Sequence, residues 1–479
     1  MHAMTIIQDV LQQRCPQIHR GRLKGLLDAT EAACQARSHT LSNLARALKT
    51  KVAIRHNVKR MDRLLGNAAL QRECLVVYQA LAHYWLHDVG TLLIVIDWSD
   101  LNPARSQQLI RAAVALEGRS LTVYEEVHAL KQATTPAVHT AFLAHLNEVL
   151  PVGCQPIIIT DAGFRSPWFR AVEALGWHWL GRIRNRDMVR PRGDATDKSG
   201  GVWCGAKTLY AKATKKACDL GMMDYVRNHP LTCRMVLVKR APKGRHMKTV
   251  NGVRAQSSQS GKHAKAQVEP WLLAASCSLS HWCADTVVGI YATRMQIELA
   301  FRDTKNPRMG LGLSASGSRS GERLAVLALI ACLAEFVLRL IGQTAINNHQ
   351  QYDLQLTNRR SRPEISRRAV AALRPVTLGH RALDRVQIHF RFPLSAFRFC
   401  NALDAHDFAT GEQADGHEAT VDGAIRGLAV GIALDEGDGT RAAITLGAAF
   451  LRAGQSRSAQ KFQQRGVRRN ACHAHGAMV

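Results

Sequence analysis

The 479-residue sequence predicts an α/β fold around one mixed sheet, entered through a basic helical region and interrupted by a β-rich insertion. Three observations carry this prediction. Leu92 to Ile96 is a continuous apolar run that ends at Asp97. Pro156 to Thr160 repeats the pattern and ends at Asp161. Unbroken runs of this kind mark strands covered on both faces, where the usual alternation is lost. The third is Ile290 to Lys305, which has no Gly or Pro and consists of residues that tolerate a helix. Apolar residues make up 46% of the chain and charged residues 21%, which excludes a mainly disordered protein. The length suits two or three domains.

Residues 1–85 are expected to form a helical domain. Residues 1–66 hold twelve Lys and Arg against four Asp and Glu. Thr40 is placed to cap a helix over Leu41–Leu48. Ile54, Val58, Met61 and Leu65 then recur at helical spacing, and Arg55, Lys59, Arg60 and Arg63 cover the remaining surface. Two short helices with one basic face suit a DNA reader of the helix-turn-helix kind, with Arg55, Lys59 and Arg63 as candidate DNA contacts. The same pattern also fits an amphipathic pair that only packs.

The core is expected over 86–345. After the Leu92 strand, Ile110 to Leu116 alternates, Gly118 and Arg119 make a turn, and Leu121 to Val127 forms a further strand. Thr135–Leu150 reads as a helix, Pro156–Thr160 as a strand, Pro167–Leu175 as a helix and Trp179–Arg184 as a strand. Residues 185–270 read as a β-rich inserted subdomain, with a strand at Met235–Val238 and a basic loop at Lys239–Lys265. Trp271–Leu273 resumes the sheet. Leu324–Ile341 is a long apolar helix that Glu335 and Arg339 mark as buried in protein rather than in a bilayer. Residues 346–395 read as a helical region. From 396 onward Trp and Tyr vanish and Ala and Gly dominate, the composition of a loosely ordered extension.

The net charge of +27 and pI near 10.2 favour a polyanionic partner, most simply nucleic acid, and no membrane partner is expected. Twelve Cys without a C-x-x-C pair read as reduced thiols of a cytoplasmic protein. Cys472, His473 and His475 give only a weak metal signal.

Tyr291, Arg294, Glu298, Arg302 and Lys305 follow one another at steps of three, four, four and three, which places them on one helical face. Ile290, Ile297 and Phe301 form an adjoining apolar stripe. Asp97 and Asp161 end buried strands, where α/β sheets place their sites, although a lone Asp there is commonly a turn or cap. Three gathered carboxylates repel one another, and a hard divalent cation relieves that repulsion. Oxygen ligands select Mg²⁺ or Mn²⁺. Two such ions about 4 Å apart would clamp the attacking and leaving oxygens of a phosphoryl displacement.

The spacing Tyr291-x2-Arg294-x3-Glu298-x6-Lys305 resembles the Y-R-E-K signature of bacterial insertion-sequence transposases with a DDE triad, the cut-and-paste family written IS-four. IDWSD around Asp97, TDAGF around Asp161 and the text MQIELAFRDTKNPRMGLGL are similar to that family as well. The likeness covers roughly residues 1–380. It implies an RNase H-like catalytic core carrying a β-strand insertion. It implies Asp97, Asp161 and Glu298 as ligands of two Mg²⁺ ions, and Tyr291, Arg294 and Lys305 as contacts to the DNA backbone, with Arg302 on the same face. Trp271 is the indole implied to stack on a flipped base. The implied activity is that of a dimer that binds terminal inverted repeats of double-stranded DNA, nicks them, forms and resolves hairpins, and joins 3′-OH ends to target DNA. The setting would be the bacterial cytoplasm, at the nucleoid. An RNase H-like nuclease without strand joining, and a non-catalytic DNA-binding regulator, are the alternative readings.

Overall fold

Strands β1 (Thr91–Asp100) and β4 (Gln155–Thr160) lie side by side and parallel, with Ile96 opposite Thr160. Every residue from Leu92 to Ile96 is buried, as are Ile157, Ile158 and Ile159, which accounts for the unbroken apolar runs. On its other edge β1 pairs antiparallel with β2 (Gln107–Ala115), which pairs antiparallel with β3 (Ser120–Ala129). Beyond β4 lies β5 (His178–Ile183), again parallel. Helices α6 (Pro136–Val149) and α7 (Ser166–Ala174) connect the parallel strands, and Thr135 caps α6 through its hydroxyl. The order of three strands, helix, strand, helix, strand agrees with the sequence reading. The computed structural model describes residues 2–347, apart from 37, 87–88, 90, 103, 117–118, 185–186, 194–200, 242–252, 254–255, 259, 262–267 and 308–309. The expected basic loop falls largely outside these residues. Nearly all of the expected helical region at 346–395, the extension from 396, and Cys472, His473 and His475 lie outside them too.

The insertion is β-rich, and its strands extend the central sheet. Strands β6 (Met188–Pro191), β7 (Cys204–Gly205), β8 (Cys218–Tyr225), β9 (Leu231–Val238) and β10 (Trp271–Ala275) continue it, giving the order β3-β2-β1-β4-β5-β10-β9-β8-β6-β7. The physical reason is edge pairing. β10 bonds to β5 on one side and β9 on the other, so the ladder groups of β5 are satisfied by the chain that returns from the insertion.

The N-terminal region is helical and packs on the long apolar helix of the core. It contains α1 (His2–Arg14), α2 (Arg20–Ala36), α3 (Leu41–Ala47), α4 (Ile54–Leu65) and α5 (Ala68–Trp85). Thr40 caps α3 at Asn43, as its position predicts. On α4 Met61 and Leu65 are buried, but Ile54 is 54% exposed, because the first turn projects beyond the packed face. After β10 come α8 (Ala284–Ala292), α9 (Met295–Lys305) and α10 (Gly321–Asn347). Helices α1, α2 and α5 pack on α10, which also covers β3. The Cys34 thiol reaches the Ala334 carbonyl at 3.7 Å, and the Trp85 and Phe336 rings stand 4.4 Å apart. Residues 1–85 therefore share a core with the sheet. Being wrapped on several sides, α10 buries Leu324, Leu329, Leu333 and Leu338 alike, so its apolar character has no single face.

The run from Ile290 to Lys305 is two helices, not one. It breaks at Thr293 and Arg294, where α8 ends and α9 begins. The Thr293 hydroxyl donates to the Ile290 carbonyl at 2.7 Å, and backbone bonds across the junction step back three residues, as in Arg294 to Tyr291. A hydroxyl competing for the backbone carbonyl is a recognised way to disturb a helix.

Candidate active site

Asp97 and Asp161 follow the paired residues Ile96 and Thr160, so the parallel ladder brings them to neighbouring strand ends. Asp97 Oδ1 accepts the Trp98 amide at 2.8 Å, and Asp161 Oδ1 accepts the Gly163 amide at 2.7 Å. A Cβ at position 163 would stand 2.9 Å from Asp161 Oδ1, so a side chain there would push that carboxylate aside. The side chains that follow the two acids meet across α6. Trp98 Nε1 donates to His139 Nε2 at 3.2 Å, and the His139 ring stacks on Phe164 at 5.2 Å. Burial pulls His139 down to about 4, so it stays a neutral acceptor at neutral pH.

The β1–β2–β3 register sets Asp97 opposite Arg111, and Arg111 opposite Glu125. Directly opposed residues of antiparallel strands share a sheet face. Arg111 Nε donates to Glu125 at 2.6 Å with both side chains fully buried, and Tyr78 donates to the same carboxylate at 3.0 Å. The Arg111 guanidinium also donates to Thr304 Oγ1 at 3.1 Å and lies 4.9 Å from the Phe301 ring centre. A second buried pair joins Arg119 to Asp303 at 2.8 Å, and a third joins Arg339 to Glu335 on α10 at 2.8 Å. Phe301, Asp303 and Thr304 all belong to α9, so Arg111 and Arg119 clamp α9 to the sheet.

That clamp presents Glu298, near the start of α9, to the strand ends. Arg294 joins it to Asp97. One guanidinium nitrogen lies 3.2 Å from Asp97 Oδ2 and another donates to Glu298 Oε1 at 2.6 Å. Burial, then the nearby charge of Asp161, pushes Asp97 up to about 7, while Arg294 opposes the rise. Burial works against the charge on Arg294, but Tyr291, Asp97, Glu298 and Asp161 more than compensate and hold it protonated. Thus Asp97 and Glu298 share one cation, and Asp161 lies close enough to act on Asp97.

A cleft of about 700 Å³ opens beside the acids, lined among others by Asp97, Asp100, Glu298, Phe301, Arg302 and Lys305. Arg302 is exposed at its rim. Lys305 donates to Ser99 Oγ at 2.5 Å and to the Asp100 carbonyl at 3.0 Å, and burial lowers its proton affinity. Tyr291 does not share a surface line with the others. It sits on α8, is 3% exposed, and meets Trp271 edge-on at 5.0 Å. Burial pushes its hydroxyl up to about 12. Trp271 is half-buried beneath Arg240, whose guanidinium lies 5.3 Å from the ring centre. Arg55, Lys59 and Arg63 are exposed along α4.

Two features escaped sequence reasoning. The Arg111, Glu125, Glu335 and Arg339 charges were visible only as polar interruptions of apolar segments, a signal that does not name partners. The Arg294 bridge to Asp97 spans 197 positions in the chain, which helical spacing does not register.

Among the described residues, no group of three or more His, Cys, Asp or Glu stands ready to hold a metal ion. The donors are nevertheless the right kind. Asp97, Asp161 and Glu298 offer only carboxylate oxygens, and burial with the nearby charge of Asp161 raises Asp97, a cost of ionisation that a divalent cation would relieve.

The cryo-EM structure of the piggyBac transposase synaptic complex with hairpin DNA resembles the chain at a TM-score of 0.36 and 8% identity, covering 86% of this chain and 82% of that one. No curated protein matches the chain. The Transposase DDE domain family matches residues 90–334, a span that holds Asp97, Asp161 and Glu298 and about half of the sequence. On that match, the chain belongs to the Transposase DDE domain family.

Proposed function

We propose that this protein is a cut-and-paste DNA transposase of the insertion-sequence type, in the IS-four family with the Y-R-E-K signature. It would bind terminal inverted repeats, cleave at the transposon ends and join 3′-OH ends to target DNA. The observation that carries the reading is the meeting of Asp97 and Glu298 on one guanidinium beside Asp161. The strand order β3-β2-β1-β4-β5 supports an RNase H-like core, with β6 to β10 as its insertion.

DDE transposases generally use divalent metal ions. Here Asp97, Asp161 and Glu298 would hold two Mg²⁺ or Mn²⁺ ions. When bound, such ions activate the attacking hydroxyl and neutralise charge on the leaving oxygen. The chain's own residues position the DNA. Lys305 and Arg302, on the cleft beside the acids, bind phosphates of the cleaved strand and keep the scissile one in line. Arg294 and Tyr291 complete that backbone contact once DNA enters. Trp271, half-buried at the start of β10, stacks on an unpaired base. Arg55, Lys59 and Arg63 on α4 contact the outer repeat. The working form is a homodimer on two DNA ends at the bacterial nucleoid.

A strand-transfer assay with linear repeat ends and Mg²⁺ tests the proposal. Nicked, hairpin and joined products should appear and should vanish in Asp97→Asn, Asp161→Asn and Glu298→Gln. Cleavage without joining would instead favour the nuclease reading.

A further inference from the structure

We infer that Arg294 and a divalent cation compete for the same carboxylates, the guanidinium holding Asp97 and Glu298 until a metal ion replaces it. This deepens the functional reading above and rests on it.

The geometry is that of a bridge. Arg294 uses separate nitrogens for the two acids, at 3.2 Å to Asp97 and 2.6 Å to Glu298. Had it met Glu298 alone, it would be an ordinary pair one helical turn apart. The link to Asp97 ties the start of α9 to the end of β1 and places a single positive charge among three acids. The side chains of Arg294 and Asp97 are 13% and 16% exposed, so solvent does little to screen that contact, whereas Glu298 at 41% is open to it. Its backbone sits at the junction of α8 and α9, not within a continuous helix, so it is anchored at a turn.

A guanidinium and a divalent cation solve the same electrostatic problem differently. Guanidinium hydrogen bonds hold oxygens near ~2.8 Å from nitrogen, whereas Mg²⁺ draws oxygens to about 2.0–2.1 Å and carries twice the charge. The guanidinium of Arg294 therefore engages, with a single charge, two of the acids that a divalent cation would need. Guanidinium also stays protonated throughout the physiological range, so it does not leave by losing its own proton. With the acids ionised, release requires a stronger cation at the acids, aided by an anion, such as a DNA phosphate, that takes the guanidinium. In this arrangement the acids are preassembled without metal, and metal entry is linked to the freeing of one phosphate-binding side chain.

The test is direct Mn²⁺ binding to the DNA-free, full-length protein at neutral pH, read as free Mn²⁺ by electron paramagnetic resonance. Arg294→Gln, which keeps bulk but removes charge, should bind Mn²⁺ roughly tenfold more tightly than wild type, the usual scale of such a coupling. Arg294→Lys, which keeps charge but cannot bridge two acids in a plane, should fall between them. Adding Asp97→Asn to Arg294→Gln should abolish the gain. Mn²⁺ should also raise the melting temperature of Arg294→Gln more than that of wild type. If Arg294→Gln does not fold without metal, the comparison of Arg294→Lys with wild type decides the matter. Equal affinity in wild type and the Arg294 variants, with Asp97→Asn still abolishing binding, would overturn the competition and leave the metal site standing. No binding above the Asp97→Asn background in any protein would overturn both.

Discussion

Arg111 and Glu125 face each other across β2 and β3 as an ion pair 2.6 Å long with neither side chain exposed. A buried pair of this kind adds little net stability over an apolar replacement, but breaking one side is severe because the other charge is stranded. Arg111→Met should therefore destabilise the fold by about 3–5 kcal/mol, measured by urea unfolding. The double change Arg111→Met with Glu125→Leu should recover much of the loss. If the single and double variants are equally unstable, packing against Phe301 and not charge is what matters there.

Asp97 gives a pH signature. Its carboxyl is pushed up to about 7 in the folded protein from a usual value of 3.8. Below about pH 4 it is protonated in both states and contributes nothing. Between about 4 and 7 the unfolded chain loses the proton while the fold retains it, so stability falls as pH rises. Above about 7 the whole penalty is present. In metal-free buffer Asp97→Asn should raise the melting temperature more at about pH 8 than at about pH 5. An equal gain at both would place the Asp97 titration elsewhere.

The N-terminal helices separate folding from DNA binding. Because α1 and α2 pack on α10, deleting residues 1–66 should expose apolar core and lower thermal stability sharply. Replacing Arg55, Lys59 and Arg63 with Ala should leave the melting temperature nearly unchanged, since all three are exposed on α4. If each holds one phosphate, the triple variant should flatten the salt dependence of DNA binding by roughly 0.9 for each phosphate no longer held. An unchanged slope would move the DNA surface off α4.

The sequence was most legible where one local pattern had one structural meaning. The runs ending at Asp97 and Asp161 had the pattern of covered strands, and the strands and helices from β1 to β5 followed in order. What stayed hidden was nonlocal. The pairing of Leu272 with both Ile183 and Leu237, which fuses the insertion into the main sheet, leaves no trace in β10 itself. The break at Thr293 was hidden for another reason: intrinsic helix propensity is high across the run, and the bond of the Thr293 hydroxyl to the Ile290 carbonyl at the junction has no sequence signature. The three acids were visible as strand-end and helix-face residues. Arg294 was visible too, but as a cation on a surface line, because its bond to Asp97 depends on how α9 docks.

Lys305 separates a structural role from a functional one. Its ammonium binds Ser99 Oγ and the Asp100 carbonyl at the end of β1, so it could simply be pinning α9 to that strand. Both partners lie beside the open cleft, where water can replace the missing donor. A hydrogen bond to a charged donor contributes about 1.5–3 kcal/mol when fully enclosed, and less where solvent reaches it. Lys305→Ala should therefore lower stability by about 1 kcal/mol or less, seen as a small shift in the urea midpoint. Its effect on cleavage should be much larger. A cation on the cleft wall beside Asp97 and Glu298 can hold the phosphate next to the scissile one, and loss of such positioning can slow a reaction by about a hundredfold. Lys305→Arg should restore DNA binding better than cleavage, since the wider guanidinium keeps the charge but cannot reproduce a point contact. If Lys305→Ala unfolds readily yet cleaves normally per folded molecule, Lys305 is a strut between α9 and β1, and the cleft must take its DNA contacts from Arg302 and Arg294.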